Sequence, residues 1–152
     1  MSIAINQPAL NQIIGMSVAH VWLGHGSALF LELGEIGECR RKDGSQGNPK
    51  GAVTVMADFG WRIEGPRSIV CASGESNRRI ASAVKSLLGS QIIDACSVGR
   101  IPELQLAFSN GRWLQTFTHY AGQPAWALLF SSPRLGALGV KAGHLSVDEH
   151  NS

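Results

Sequence analysis

Cysteine is scarce in this sequence, and the few cysteines show no pattern. There are three in 152 residues, at Cys39, Cys71 and Cys96, and no two of them have C-x-x-C spacing. An odd number without that spacing argues against a disulfide scaffold and against a zinc knuckle. We therefore interpret them as free, buried thiols in a reducing compartment.

Charge is also scarce, and it is nearly balanced. Charged residues make up 16% of the chain, and the formal net charge is +2. The basic residues are dispersed except at Arg40, Arg41 and Lys42, whereas a phosphate-binding surface needs a cluster on one face. The composition therefore predicts that nucleic acid is not a partner.

Long apolar runs are missing as well. No apolar stretch approaches the ~20 residues of a transmembrane helix. Residues 1–10 lack the basic region and the apolar run of a secretion signal. These two absences predict a cytoplasmic protein that has no membrane partner.

The common catalytic, metal and cofactor motifs are absent too. Residues 24–27 (Gly-His-Gly-Ser) lack the G-x-S-x-G elbow of a serine hydrolase, and residues 44–47 lack the Lys-Ser/Thr of a phosphate loop. No H-E-x-x-H run occurs among the five histidines, which are His20, His25, His119, His144 and His150. The sequence therefore predicts no catalytic residue, no metal site and no cofactor, although enzymatic activity stays open.

What is present is a strand pattern punctuated by glycine. The 18 glycines favour tight turns, and 44% hydrophobic residues are enough for one core in a single domain over 1–152. Apolar and polar residues alternate in short blocks, as in Ala28–Leu33. Asn110-Gly111 predicts a two-residue hairpin turn with a positive φ at Gly111.

Only one segment has a convincing helical pattern. Ile80, Val84 and Leu87 recur on one face between Asn77 and Leu88, and Gly89 follows as a stop signal. Together with the strands around it, this segment predicts an α+β fold that consists of antiparallel β-sheet and one main α-helix.

Two parts of the chain repeat one pattern. Ile14-Gly15 precedes an L-x-L-x-L strand at 29–33, and Leu88-Gly89 precedes an L-x-L-x-F strand at 104–108. A strand with a tryptophan near its start follows in both cases, at Trp61 and at Trp113. We interpret this as one β-meander used twice, since the glycine and the tryptophan match as well as the leucines. Chance recurrence of L-x-L in a strand-rich sequence is the alternative.

The repeat predicts the organisation of the domain. Two similar halves, about 13–72 and 88–130, are joined by the helix. A polar excursion between Glu35 and Lys50 interrupts the first half. Residues 136–152, rich in small and polar side chains, are predicted to be a weakly packed tail.

The second half also resembles a known group of proteins. The resemblance is carried by Leu88-Gly89, Leu104-x-Leu106-x-Phe108, Asn110-Gly111-x-x-Leu114 and Trp126-x-Leu128. This order resembles small uncharacterised bacterial β-rich proteins of the domain-of-unknown-function type, some of which are similar to immunity proteins encoded beside secreted toxins. The resemblance covers about the last third of the chain. It implies a fold and supplies no catalytic residue.

Candidate binding residues come from a basic cluster and from two tryptophans. The excursion mixes charges and contains the only basic cluster of the sequence, although a simple solvated insertion is the alternative. Tryptophans in alternating strands ordinarily fill the core, but an exposed one marks an interface. The candidates are Arg40, Arg41, Lys42, Trp61 and Trp113.

We expect a non-enzymatic protein-binding module, immunity-like as the resemblance implies, because the polar residues do not gather into a catalytic constellation. The alternative is a small-molecule-binding protein or an enzyme that uses a concave sheet pocket. A deep pocket lined by Trp61 or Trp113 would favour that alternative. The sequence leaves the partner unidentified and a homo-oligomer open.

Overall fold

The computed structural model describes residues 3–37, 41–119, 121, 124–131, 137–141 and 144–148. Within these ranges the chain is mostly β, with two α-helices. The helices are α1 (Ile3–Asn11) and α2 (Asn77–Lys85). The strands are β1 (Val18–Leu23), β2 (Leu29–Leu33), β3 (Val53–Ala57), β4 (Trp61–Glu64), β5 (Ile69–Ala72), β6 (Ile92–Val98), β7 (Glu103–Phe108), β8 (Trp113–Thr116), β9 (Pro124–Phe130), β10 (Ala137–Lys141) and β11 (His144–Asp148).

The strands form two antiparallel sheets. The first sheet has the order β1-β2-β3-β9-β10-β11, and the second has the order β5-β4-β8-β7-β6. Each sheet begins with a meander of consecutive strands, β1-β2-β3 in the first and β6-β7-β8 in the second, which fits the antiparallel meanders predicted from the sequence. After its meander the chain crosses to the other sheet, so that β4 pairs with β8 and β9 pairs with β3.

One hydrophobic core joins the inner faces of the two sheets. The alternation of β2 and β7 turns inward the side chains of Leu29, Leu31, Leu33, Leu104, Leu106 and Phe108. Trp61 from β4 and Trp126 from β9 are fully buried in the same cluster. Because full burial of one leucine or phenylalanine contributes about 1.5–3 kcal/mol, this shared core is what holds the sheets together.

Helix α2 begins where the sequence predicts it. The hydroxyl of Ser76 accepts a hydrogen bond from the backbone N–H of Arg79 at 3.4 Å and caps the first turn. The regular helix ends at Lys85, earlier than the predicted Leu88. Its buried face consists of Ile80, Ala83 and Val84.

Helix α1 is a correction to the prediction of one main helix, because it has the same length as α2, 9 residues each. Pro8 lies inside it and its amphipathic pattern is weak, which hid it from sequence reasoning. Tertiary contacts stabilise it instead. Leu10 and Ile13 are buried, and Gln7 Nε2 donates to the carbonyl of Ala95 in β6 at 2.8 Å.

The segment predicted as a weakly packed tail holds two strands. β10 pairs with β9, and β11 pairs with β10, so the first sheet extends through both. Glycines at 136, 139 and 143 dilute the alternation of apolar residues in this stretch. Strand pairing with a preformed edge, which no local pattern shows, accounts for the difference.

The turn at Asn110-Gly111 is longer than predicted. Phe108 N donates to the carbonyl of Arg112 at 2.8 Å, so the loop holds Ser109, Asn110 and Gly111, and the two-residue assignment is wrong. Gly111 has φ +78, which confirms the predicted positive φ. A turn that ends on a left-handed glycine is the ordinary three-residue hairpin loop.

Candidate binding site

We call residues 34–52, which join β2 to β3, the arm. The arm corresponds to the polar excursion of the sequence, and its residues 38–40 lie outside the described part of the chain. At its base, Gly37 N donates to the carbonyl of Lys50 at 2.8 Å, and Lys50 N donates back to Gly37 at 3.0 Å. The base of the arm is therefore closed like the start of a hairpin.

A buried carboxylate fastens the arm to the first sheet. Glu32 of β2 is only 1% exposed, although it lies on the outer face of the sheet. Its oxygens accept hydrogen bonds from Trp22 Nε1 at 2.8 Å, from the backbone N–H of Gly51 at 3.0 Å, and from the hydroxyl of Thr54. Three donors offset the cost of removing the carboxylate from water.

Two further contacts hold the same region in place. The ring of Trp22 stacks on Phe30 with centroids 3.8 Å apart, which orients its N–H toward Glu32. His20, directly opposite Glu32 in the strand pairing, lies 3.3 Å through Nε2 from the Oδ1 of Asn48 in the arm. The sheet thus contacts the arm through side chains of both β1 and β2.

The tip of the arm is a structured turn. Arg41 N donates to the carbonyl of Ser45 at 2.8 Å, and Gly44 N donates to Arg41 at 3.0 Å. The hydroxyl and the backbone N–H of Ser45 both donate to Asp43, and these bonds lower the pKa of that carboxyl. Asp43 is therefore committed within the turn, whereas the side chains of Arg41 and Lys42 are exposed.

An open cavity lies at the base of the arm. Its volume is about 460 Å³, and its lining residues are Glu35, Ile36, Gly37, Lys50, Gly51, Ala52 and Ser131. Ile36 is 43% exposed at this point. The arm therefore presents a charged tip and, at its base, a partly apolar hollow.

The structure separates the predicted site residues. Arg41 and Lys42 lie together at the tip of the arm, while Arg40 lies outside the described residues. Trp61 is 1% exposed, and its Nε1 donates to the carbonyl of Ser27 at 2.9 Å, so its ring belongs to the core. Trp113 is half-buried on the outer face of the second sheet, whereas the arm joins two strands of the first sheet.

Glu32 is the functional-site residue that sequence reasoning missed as an anchor. The sequence alone assigns it no role. The available signal was its place in β2, where a glutamate alternates with inward leucines beside a tryptophan-containing strand. That pattern by itself predicts an exposed carboxylate, because nothing local shows that the arm returns over it.

The histidines and cysteines do not assemble into a reactive centre within the described residues. No group of three or more His, Cys, Asp or Glu that could hold a metal ion occurs there. His25 is exposed in the turn before β2, and Ser27 beside it has φ +65. Burial raises the pKa of the Cys71 and Cys96 thiols, which keeps both in the unreactive protonated form.

Comparisons with protein-family models, with curated proteins and with solved structures found no match. Among the described residues, neither helix has the length and apolar character needed to cross a membrane. Any inference about function therefore rests on the residues of the chain itself.

Proposed function

We propose that this chain is a non-enzymatic, cytoplasmic protein-binding module that contacts its partner through the arm, on a scaffold made of two related halves. One observation carries the proposal. The arm joins β2 to β3, whereas a short turn joins the corresponding strands of the second half, β7 and β8.

Hydrogen bonds between the two halves come in matched pairs. Gly15 and Gly89 both have positive φ, and the same spacing of 74 residues relates Val18 to Ile92. Val18 N donates to Ser90 and Ile92 N donates to Met16, while Gly15 N donates to Ile92 and Gly89 N donates to Val18. Ser17 and Gln91, which share that spacing, face each other in an isolated bridge. Such reciprocity is what a two-fold relation between halves produces.

Strand register supports the same relation. Val21 pairs with Leu31 in the first meander, and Ala95 pairs with Leu106 in the second. Each meander has a register shift in its first strand, between Val18 and His20 and between Ile92 and Asp94. Bulges are specific features rather than random defects, so their recurrence at matched positions favours one ancestral pattern.

Two buried tryptophans, Trp61 and Trp126, make equivalent contacts, whereas the sequence pattern pairs Trp61 with Trp113. Trp61, in the first strand after the first crossover, donates its indole N–H to Ser27 in the β1–β2 connection at 2.9 Å. Trp126, in the first strand after the second crossover, donates to Pro102 in the β6–β7 connection at 3.1 Å. Each tryptophan therefore ties a crossing strand back to its own half.

The matched halves differ most at one connection. β7 and β8 are joined by Ser109–Gly111 and Arg112, whereas β2 and β3 are joined by the whole arm. A short turn is therefore sufficient for this fold at that position. Because the arm is not needed to connect the strands, its anchored base and its charged tip point to contact with another molecule.

The chemistry of the arm suits a protein surface. Arg41 and Lys42 present two cations, while Asp43 is held by Ser45. Exposed charges mainly accelerate encounter and select the partner, so an acidic surface is the expected complement. Ile36 at the hollow adds an apolar contact that desolvation can strengthen. The immunity-like resemblance makes a toxin encoded beside this gene the first partner to test.

The proposal is tested by transferring the short turn. We would replace residues 34–52 by Ser-Asn-Gly, so that Leu33 and Val53 are joined as Phe108 and Arg112 are. The variant and the wild type would each be immobilised and exposed to extract of the native host, and retained proteins would be identified by mass spectrometry. We expect a partner that the wild type retains and the variant does not.

One measurement tests whether the variant folds, and the other tests whether it still binds the partner. Far-UV circular dichroism and cooperative unfolding of the variant test whether the short turn satisfies the fold. Equal recovery of the same partner by the folded variant would show that the arm is a solvated insertion. An unfolded variant would instead contradict the equivalence of the two connections.

A further inference from the structure

One tryptophan differs from the other three in how its indole N–H is used. Trp22, Trp61 and Trp126 donate to Glu32, to the Ser27 carbonyl and to the Pro102 carbonyl. The Nε1 of Trp113 makes no hydrogen bond within the described part of the chain. Buried indole N–H groups usually have a hydrogen-bond partner. Among the described residues the only buried side-chain polar atom without a partner is Ser97 Oγ, so the N–H of the half-buried Trp113 is open to solvent and available to a ligand.

The surroundings of Trp113 offer a free acceptor and a fixed amide. Glu64 lies directly opposite Trp113 in the β4–β8 pairing. Its Oε2 is paired with Arg62 Nε at 2.5 Å, and its Oε1 has no hydrogen-bond partner within the described residues. On β7, Gln105 Nε2 donates to Gln115 Oε1 at 3.0 Å, which fixes the amide plane and leaves its second N–H available.

These groups line a hollow on the sheet. A cavity of about 260 Å³ is bounded by Glu64, Gly65, Pro66, Gln105 and Trp113. A second cavity of about 340 Å³ shares Glu64, Gly65 and Pro66 with the first. Across the sheet, the small Ala107 is the neighbour of Trp113 in the pairing with β7, which leaves room beside the indole ring. The two hollows together form a shallow groove.

We propose that this groove, which we call the Trp113 groove, binds a carbohydrate. A sugar ring can lay its C–H face on the indole, while its hydroxyls accept from Trp113 Nε1 and Gln105 and donate to Glu64 Oε1. The two adjoining hollows match an oligosaccharide rather than one isolated ring. A few fixed polar groups around an aromatic surface are the usual composition of a small-ligand site.

Charge on the same face argues against two other occupants. Arg62 and Arg67 line the second hollow, while Glu64 and the exposed Asp94 place negative charge on the same outer face. The face therefore has mixed charge and lacks the uniformly basic surface that the phosphates of a nucleic acid need. A cationic group would have to approach Glu64 beside Arg62, which already pairs with that carboxylate, and beside Arg67, which lines the same groove. A neutral ligand with many hydroxyls uses the free donor and the free acceptor without either cost.

The test begins with the full-length protein on a printed array of mono- and oligosaccharides. A retained saccharide would then be titrated in solution, following tryptophan fluorescence. Trp113→Ala should weaken binding about tenfold or more, because it removes the stacking surface and the donor. Glu64→Gln should weaken binding less, since an amide oxygen still accepts. Asp94→Asn removes the same charge from the same face outside the groove and should leave the Kd within about twofold.

Trp113→Phe keeps a ring and removes only the N–H, so it gives an answer even if Trp113→Ala does not fold. It should bind more weakly than the wild type and more tightly than a folded Trp113→Ala. An array that retains no saccharide, or a saccharide bound equally by wild type, Trp113→Phe and Glu64→Gln, would overturn the proposal. The variant with the short turn in place of the arm should still bind the saccharide, so failure of one proposal leaves the other standing.

Discussion

Glu32 shows how a single residue can fasten the arm to the first sheet. Its carboxylate lies on the outer face of the first sheet, yet the returning end of the arm covers it. Placing a charge there is favourable only because several donors surround it. The burial of Glu32 and the position of Gly51 depend on each other, so the stability of Glu32 variants indicates whether the arm is attached to the sheet.

Glu32→Ala should destabilise the protein by about 2–4 kcal/mol, because it leaves Trp22, Gly51 and Thr54 donors without their acceptor. Urea unfolding followed by tryptophan fluorescence measures this loss. Glu35→Ala, an exposed glutamate of the arm, is the matched control and should change stability by less than about 0.5 kcal/mol. Equal stability of the two variants would mean that Glu32 is not an anchor.

Cys71 makes the free energy of unfolding depend on pH in the alkaline range. Burial, then the nearby Glu75, raises the pKa of this thiol, so the folded state holds the proton more tightly than the unfolded chain. The contribution is fully present below the unfolded pKa of about 8.5 and is lost as the pH rises through the higher folded pKa. Cys71→Ala should therefore show a shallower fall in unfolding free energy above that pH than the wild type.

A second cysteine variant completes this prediction. Cys96→Ala should also make the fall shallower, because burial and then Asp94 raise the pKa of that thiol. Urea unfolding at a series of pH values from neutral to alkaline gives the slopes. Identical slopes for wild type and both variants would show that neither thiol carries the pH dependence.

At the scale of elements, the arm joins a defined base to a charged tip. The bridge between Gly37 and Lys50 and the turn around Asp43 limit how far the tip can move relative to the sheet. A preordered tip reduces the entropy lost when a partner binds. The basic side chains of the tip are therefore expected to act on association with a partner and to leave the fold unchanged.

The triple variant Arg40→Ala, Arg41→Ala and Lys42→Ala should associate more slowly with the partner, with the largest difference from wild type at low salt. Surface plasmon resonance at several salt concentrations measures the rate. The control replaces Arg67, Arg78 and Lys85, three exposed basic residues outside the arm, by alanine. If both triple variants lose the same association rate, net charge rather than the arm attracts the partner.

At the scale of the whole molecule, local patterns identified most strands and missed their long-range arrangement. Alternating leucines predicted β2 and β7, and the capped amphipathic segment predicted α2. Helix α1 was hidden by Pro8, and β10 was hidden by glycines that dilute the alternation. Nothing local indicates that β4 pairs with β8, since that pairing is decided by burial of the shared core.

The candidate site also has one part that the sequence predicts and another that it does not. The basic tip was visible as a run of like charges, because such runs are exposed in almost any fold. Trp61 and Trp113 occupy similar positions in alternating strands, yet the first is buried and the second lines a groove. Which face of a strand meets the core depends on how the chain crosses between the sheets. The sequence of the strand alone does not predict that crossing.

The proposed relation between two halves predicts that matched positions respond alike to the same substitution. Gly15 has φ +92 and Gly89 has φ +80, and a Cβ at either would meet no atom within 4 Å. Alanine at each should therefore cost only the left-handed backbone strain, about 1–2 kcal/mol, and the two costs should agree. Gly74→Ala, which has open space and no positive φ, is the control and should be close to neutral. Gly15 N donates to Ile92 in β6, and Gly89 N donates to Val18 in β1. A loss of stability confined to one of the two variants in urea unfolding would therefore mean that the proposed halves are not equivalent where they meet, and the proposed repeat would lose its strongest support.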